Sequence, residues 1–441
     1  MEFSSLTFLY FFLPAALILF NLTPQKLKNT ALAFISAAFV FFFDRNLFFL
    51  FVGDISLLYL LSEAFIRFKE KGKAGKAVFL LSVILNCAII FVFSLSNPFS
   101  GKFVPFGAMV ISFTAIGYFV DIYKGEAKPI RNFSEFFVFM GFFGKLFRGP
   151  LIRASEVSAL PCSEKFSLTE TGNGLYLFIK GLAKYVVLAI PLAELNEKLS
   201  AANEAEPSVF GAWLGMIVFS MMIFFDLSGF CDMAMGLGRC FGIELPKNFY
   251  FPFQSPLVTD FLDRFNMTVT GFFRHYVYDV LRNDKNSKPQ FIVNTLLICM
   301  LCGLWFGIEM NFIIWGIYIA FFIIIEEFFL GKFLLQIPRI FARIYTFAVT
   351  MFSMTVFSAK SVPGIISSFK AMFGIGTEIV TDEISFIVSQ NMLILIPGAV
   401  FFISAFSMFM HSLEKKHPSL FGFFAVTETV ILLSLITANL L

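Results

Sequence analysis

Residues 77–95 read AVFLLSVILNCAIIFVFSL, an apolar run without a charged side chain. Its length is close to the ~20 residues a helix needs to cross the hydrocarbon core of a bilayer. One such run would fit a buried helix of a soluble protein, but this one is not alone. Residues 392–410 (MLILIPGAVFFISAFSMFM) repeat it, and comparable stretches recur at 3–22, 31–43, 47–66, 103–120, 172–193, 209–230, 291–308, 312–330, 340–358 and 420–440. Together they predict an all-α, polytopic integral membrane protein of about 11–12 transmembrane helices. The composition agrees, at 58% apolar and 14% charged, against roughly 45–50% and about 25% for soluble domains. The run Leu6–Phe20 has no basic residue ahead of it and no small-residue cleavage site behind it, so it is expected to be a retained span rather than a leader.

Basic residues collect on alternate connections. One set holds Lys26 and Lys28, the cluster from Arg67 to Lys76, and the segments 124–165 and 239–288. It also holds Lys332, Arg339, Arg343, Lys415 and Lys416. The other connections keep only Arg45, Lys102, Lys198, Lys360 and Lys370, beside acidic residues such as Glu194, Glu197, Glu204 and Glu206. The positive-inside rule then predicts both termini outside the membrane. Topology accounts for the basic residues, and no nucleic-acid partner is expected.

Two inward stretches, 134–153 (EFFVFMGFFGKLFRGPLIRA) and 246–282, mix aromatics, Gly, Pro and single charges. Irregular backbone at membrane depth persists only where protein or a water-filled cavity satisfies it. Both are therefore expected as re-entrant or interfacial helices lining a central cavity. No repeat or low-complexity tract divides the chain, and one integral domain over 1–441 is expected. The cysteines (Cys87, Cys162, Cys231, Cys240, Cys299, Cys302) show no paired spacing. Cys299 and Cys302 form a C-x-x-C inside an apolar run, read as two small residues on a packed helix. No metal-ligand cluster is present in the sequence pattern.

Ionisable residues near spans are costly and mark functional sites. The densest set comprises Asp226, Asp232, Arg239, Asn248, Asp260, Asp263, Arg264, Asn266, Arg274, His275 and Asp279. It predicts a polar chamber on the inner side; the alternative is a solvated loop. Asp260, Asp263 and Arg264 stand at helical spacing, where pairing to orient a short helix is as good a reading as catalysis. Of the three histidines, His411 and His417 flank Lys415 and Lys416 in a short basic loop. His275 alone is placed for general-base work, with pairing to Asp279 as the structural alternative.

Several segments then resemble one family. These are the opening MEFSSLTFLYFFLPAALILFNL, YFVDIYKGEAKP (118–129), FFGKLFRGPLIR (142–153) and GLYLFIKGLAKYVV (174–187). FFDLSGFCDMAMGLGRCFGIELPKNFYFPF (224–253), DFLDRFNMTVTGFFRHYVY and NTLLICMLCGLWFGIEMNFIIWG follow in order. The resemblance is to membrane-bound O-acyltransferases of the alginate O-acetylation and teichoic-acid D-alanylation type, with a signature core at about 110–330. It implies a many-helix body around a tunnel, in a bacterial plasma membrane. An acyl group from a cytoplasmic thioester donor, with no bound cofactor, would pass to a hydroxyl of a surface polysaccharide. It further implies an acyl carrier on the cytoplasmic side and, for some relatives, an extracytoplasmic partner of esterase fold.

The sequence departs from the family where the chemistry should be. The family's catalytic histidine follows the tryptophan of the GLW stretch; here Trp305 is followed by Phe306, which cannot accept a proton. A second family histidine is Asn266, which hydrogen-bonds but does not titrate usefully. His275 stands where relatives are commonly acidic, and Ser358 where an arginine is usual. Three readings remain at this stage: acyl transfer with His275 or a partner supplying the base, a non-catalytic relative that binds or scaffolds, and an unrelated multi-span transporter.

Overall fold

The computed structural model describes residues 1–69, 72–94, 104–155, 167–281, 287–402, 413, 415–416 and 418–441. His411, His417, Cys162 and the end of the 392–410 run lie outside the described residues. Inside a bilayer, backbone N–H and C=O groups must find partners within the chain, and helices are the local solution. Among the described residues the structure is accordingly helical, with only two isolated β-bridges, Ser208 with Glu378 and Phe249 with Phe265.

Among the described residues, eight helices are long and apolar enough to cross a membrane: Gln25–Phe43, Arg45–Phe68, Lys73–Val92, Leu168–Ala205, Val209–Cys240, Met310–Gln336, Arg339–Ser358 and Gly422–Leu440. A ninth is added if Asp382–Gln390 and Met392–Phe402, bent by 76° at their break, form one span. The protein is thus a multi-pass, all-α membrane protein. Of the other expected runs, 103–120 forms the 21-residue helix Val104–Lys124 and two form shorter helices. The first run becomes the short helix Phe8–Leu22, and the 291–308 run becomes Lys288–Leu304. The latter has 17 residues, about 26 Å at 1.5 Å per residue, less than the ~30 Å core. The short second run instead gains length, because a 3₁₀ turn at Gln25–Leu27 leads directly into it.

The chain divides into two compact units, one formed by Met1–Leu182, Phe230–Lys247 and Leu440–Leu441, the other by Ala183–Gly229 and Asn248–Asn439. The first is built on phenylalanine. Phe3, Phe8, Phe39 and Phe143 pack with ring centroids 4.9–6.4 Å apart, the offset and edge geometries that aromatic quadrupoles favour. Phe143 belongs to the predicted re-entrant stretch, which forms the helix Phe133–Gly141 and a 3₁₀ turn, Phe143–Lys145. Phe136 through Leu146 are buried, so this stretch is core rather than solvated loop.

The second unit holds a helical hairpin, Lys288–Leu304 with Met310–Ile325, packed with Arg339–Ser358. Small residues set the hairpin's close approach. A methyl group on Gly316 would stand 2.5 Å from the carbonyl oxygen of Cys299, which agrees with the use of glycine at membrane helix contacts. Cys299 and Cys302 are buried free thiols on that helix, as the packing reading expects. Trp315 Nε1 donates to Ser353 Oγ at 3.2 Å and Asn311 Nδ2 to the Phe357 carbonyl at 2.7 Å, tying the hairpin to the third helix.

Candidate functional site

The stretch 246–282 folds as short helices separated by sharp turns: Pro252–Gln254, Val258–Leu262, Met267–Phe273, Arg274–Tyr278 and Asp279–Leu281. The stretch is therefore neither one continuous span nor an unstructured linker. Three non-glycine residues among those described have left-handed backbone: Arg148 at φ 58°, Phe251 at 46° and Asn266 at 54°. All three fall in the two irregular stretches. Such conformations cost about 1–2 kcal/mol each and persist where the surroundings enforce them, often at functional sites.

Asn266 is enforced by Asn248. The Asn248 Nδ2 donates to Asn266 Oδ1 at 2.8 Å, and its Oδ1 accepts from Thr268 N at 2.8 Å and Thr268 Oγ1 at 2.9 Å. The Asn248 carbonyl also accepts from Met267 N at 2.9 Å. Both asparagines are buried, at 3% and 8% exposure. One side chain thereby satisfies the first turn of Met267–Phe273, whose own N-cap residue gives no side-chain bond.

Two of the charged pairs form locally. Arg264 Nε contacts Asp260 Oδ1 at 2.9 Å across one helical turn, and Arg274 contacts Asp263 at 2.6 Å. The side chains of both pairs are 30–51% exposed. The orienting role weighed for Asp260 and Arg264 is the geometry found. His275 lies in the π-helical turn Arg274–Tyr278, with Nδ1 3.9 Å from Asp279 Oδ2. That is ion-pair range but beyond a good hydrogen bond. Asp226 and Asp232 are both half-buried on the helix Val209–Cys240; Asp226 belongs to the second unit and Asp232 to the first.

Trp305 and Phe306 follow the end of Lys288–Leu304 and are 6% and 4% exposed. The Phe306 ring packs 5.0 Å from Phe357, 6.3 Å from Trp315 and 6.4 Å from Phe312. The position after the tryptophan is thus filled by an aromatic cluster.

Two buried charges escaped the sequence reading. Glu326, 4% exposed, accepts from Val258 N at 2.7 Å, Thr259 N at 3.0 Å and Thr259 Oγ1 at 2.9 Å. It caps Val258–Leu262, whose preceding residue, Leu257, has no acceptor to offer. Lys145 is fully buried and donates from Nζ to the Phe139 carbonyl at 2.5 Å. Burial pushes its ammonium down to about 7. The signal for both was the same, an ionisable residue inside an apolar run.

The fold is that of a multi-pass membrane protein whose stretch 246–282 turns sharply around a buried amide pair. The membrane-bound O-acyltransferase family matches residues 105–369, and the chain belongs to that family. It is 27% identical over 398 residues to a probable alginate O-acetylase of Pseudomonas aeruginosa, covering 86% of this chain and 76% of the relative. It is 25% identical over 422 residues to a peptidoglycan O-acetyltransferase of Helicobacter pylori, covering 85% and 80%. With a teichoic acid D-alanyltransferase of Bacillus subtilis it shares 27% identity over 338 residues, covering 68% and 82%.

Proposed function

We propose that this chain takes part in O-acylation of a bacterial envelope polysaccharide, moving an acetyl or D-alanyl group to a hydroxyl on the outer side. The observation that carries this reading is the family match over residues 105–369, which takes in the whole stretch 246–282 and its amide-capped turn at Asn248, Asn266 and Thr268. The alternation of basic connections supports a plasma-membrane location with both termini outside. The donor is a cytoplasmic acyl thioester, delivered by a carrier. In the transfer, the acceptor oxygen bonds to the acyl carbon as the thioester C–S bond breaks; the hydroxyl proton goes to a base and then to the departing thiolate.

His275 is the titratable base this site offers, with Asp279 as its orienting carboxylate and Arg264 and Arg274 shaping the local charge. The Asn248–Asn266 pair holds the turn that precedes it. An extracytoplasmic partner of esterase fold would complete delivery to the polymer. The deciding experiment compares alkali-labile acetate and D-alanine on envelope polymers of a deletion strain and its parent. Loss of one ester in the deletion strain is expected; unchanged esters would overturn the reading.

One observation favours a second reading, a non-catalytic relative that binds an acyl carrier or lipid. Phe306 is packed against Phe357, Trp315 and Phe312 where the family resemblance calls for a titratable histidine. Under that reading the purified protein binds the acyl carrier without releasing acyl groups from it, in Phe306→His as in the wild type.

A further inference from the structure

We infer that a cavity of about 380 Å³ beside the N-terminus of Lys288–Leu304 is a headgroup site for a phospholipid carrying both a phosphate and a primary ammonium. Its lining includes Lys288, Asn294, Glu327 and the rings of Tyr278, Phe291 and Phe328. The inference is independent of the acyl-transfer reading.

Lys288 is the first residue of a 17-residue helix whose N-cap, Ser287, makes no side-chain capping bond. Its ammonium, set at the N-terminal end of the helix, brings positive potential suited to a phosphate. Glu327 brings a carboxylate to the same cavity. Neither charge has an ion-pair partner among the described residues. Asn294 is 5% exposed, and its side-chain amide makes no hydrogen bond among the described residues. The amide lines the cavity, where it can bond an occupant. A lysine for the phosphate, a carboxylate for the ammonium and an amide in the same aromatic-lined cavity together match a zwitterionic ethanolamine headgroup.

The surroundings point to a lipid over a soluble phosphate ester. Leu281, Val293 and Phe329, next in sequence to cavity-lining turns, are 44%, 61% and 78% exposed. This apolar surface is where acyl chains of a bound lipid would continue. Tyr278 lies in one π-helical turn and Glu327 and Phe328 in another, and such turns recur at functional sites.

The test is native mass spectrometry of the full chain in detergent, titrated with phosphatidylethanolamine, phosphatidylcholine and phosphatidylglycerol of matched acyl chains. Phosphatidylethanolamine should be retained best. Lys288→Ala should weaken all three by about tenfold, the scale of one charge-assisted hydrogen bond. Glu327→Gln should abolish the preference for ethanolamine over choline while leaving phosphatidylglycerol undiminished. Thermal unfolding without added lipid should match the wild type in both variants, separating lost binding from lost fold. Equal retention of the three lipids, or wild-type retention in both variants, would overturn the proposal. So would displacement of the lipid by phosphoethanolamine or coenzyme A at comparable concentration, which would assign the cavity to a soluble phosphate ester.

Discussion

Asn248 Nδ2 donates to Asn266 Oδ1 at 2.8 Å, and this bond holds Asn266 in a left-handed conformation at the start of Met267–Phe273. Asn248→Leu should destabilise the protein by about 2–4 kcal/mol, because it strands both the Asn266 carbonyl and the Thr268 donors in a buried site. Asn266→Gly should cost less than Asn266→Ala, since glycine tolerates the left-handed backbone. Thermal unfolding in detergent reads both. Equal losses for Gly and Ala would mean that the conformation at 266 is not what the contact protects.

Glu326 offers a second stability test. Glu326→Leu removes the acceptor of three hydrogen bonds to Val258 and Thr259, with a cost of about 1–3 kcal/mol for each buried donor left unpaired. Glu326→Gln keeps one carboxamide oxygen and should lose less. Adding Thr259→Val to Glu326→Leu removes one stranded donor and should recover part of the loss in a double-mutant cycle. Strict additivity of the two changes would show that the capping contact is not energetically coupled.

The helical membrane architecture was legible because run length and charge exclusion are local properties of the chain. The run at 77–95 forms Lys73–Val92 with little tertiary help. Helix ends were less legible, since hydropathy cannot see that Lys288–Leu304 stops short or that Gln25–Leu27 extends its neighbour. That 134–153 and 246–282 break into short helices and turns was readable from their mixture of apolar residues with Gly, Pro and isolated charges. Who pairs with whom was harder. Asp260 with Arg264 follows from helical spacing, whereas Asn248 with Asn266 and Glu326 with Val258 and Thr259 are tertiary contacts across turns. Glu326 was passed over because attention to charge density favours crowded segments, and its π-helical turn lies inside an otherwise apolar helix.

His275 can be tested as the base directly. If it takes the acceptor proton, His275→Ala and His275→Gln should both lower transfer of the acyl group to a polysaccharide acceptor by about 10²–10⁴-fold. Because the His275 side chain is 26% exposed and its Asp279 contact is long, unfolding temperatures should stay near wild type. Asp279→Asn should have a smaller effect on rate, because its contact with His275 Nδ1 is long at 3.9 Å. Full transfer by both His275 variants would remove it from the chemistry and leave the base to a partner.

Lys145 gives a stability test with a defined pH dependence. Its ammonium sits at about 7 in the folded protein against 10.5 for the ordinary side chain. Between these values the unfolded chain binds the proton and the folded one does not, so this group makes stability rise with pH across that window. Below about 7 both states are protonated, and the full cost of burying the charge is present. Lys145→Met, which keeps the length and removes the charge, should therefore be more stable than the wild type near neutral pH. That advantage should be largest below about pH 7 and shrink as pH rises toward about 10.5. At the alkaline end the sign should reverse slightly, because methionine cannot replace the bond from Nζ to the Phe139 carbonyl. The measurement is the difference in unfolding temperature between the two proteins across that range. A difference that does not change with pH would show that Lys145 keeps its proton in the fold, held by the Phe139 carbonyl and ring.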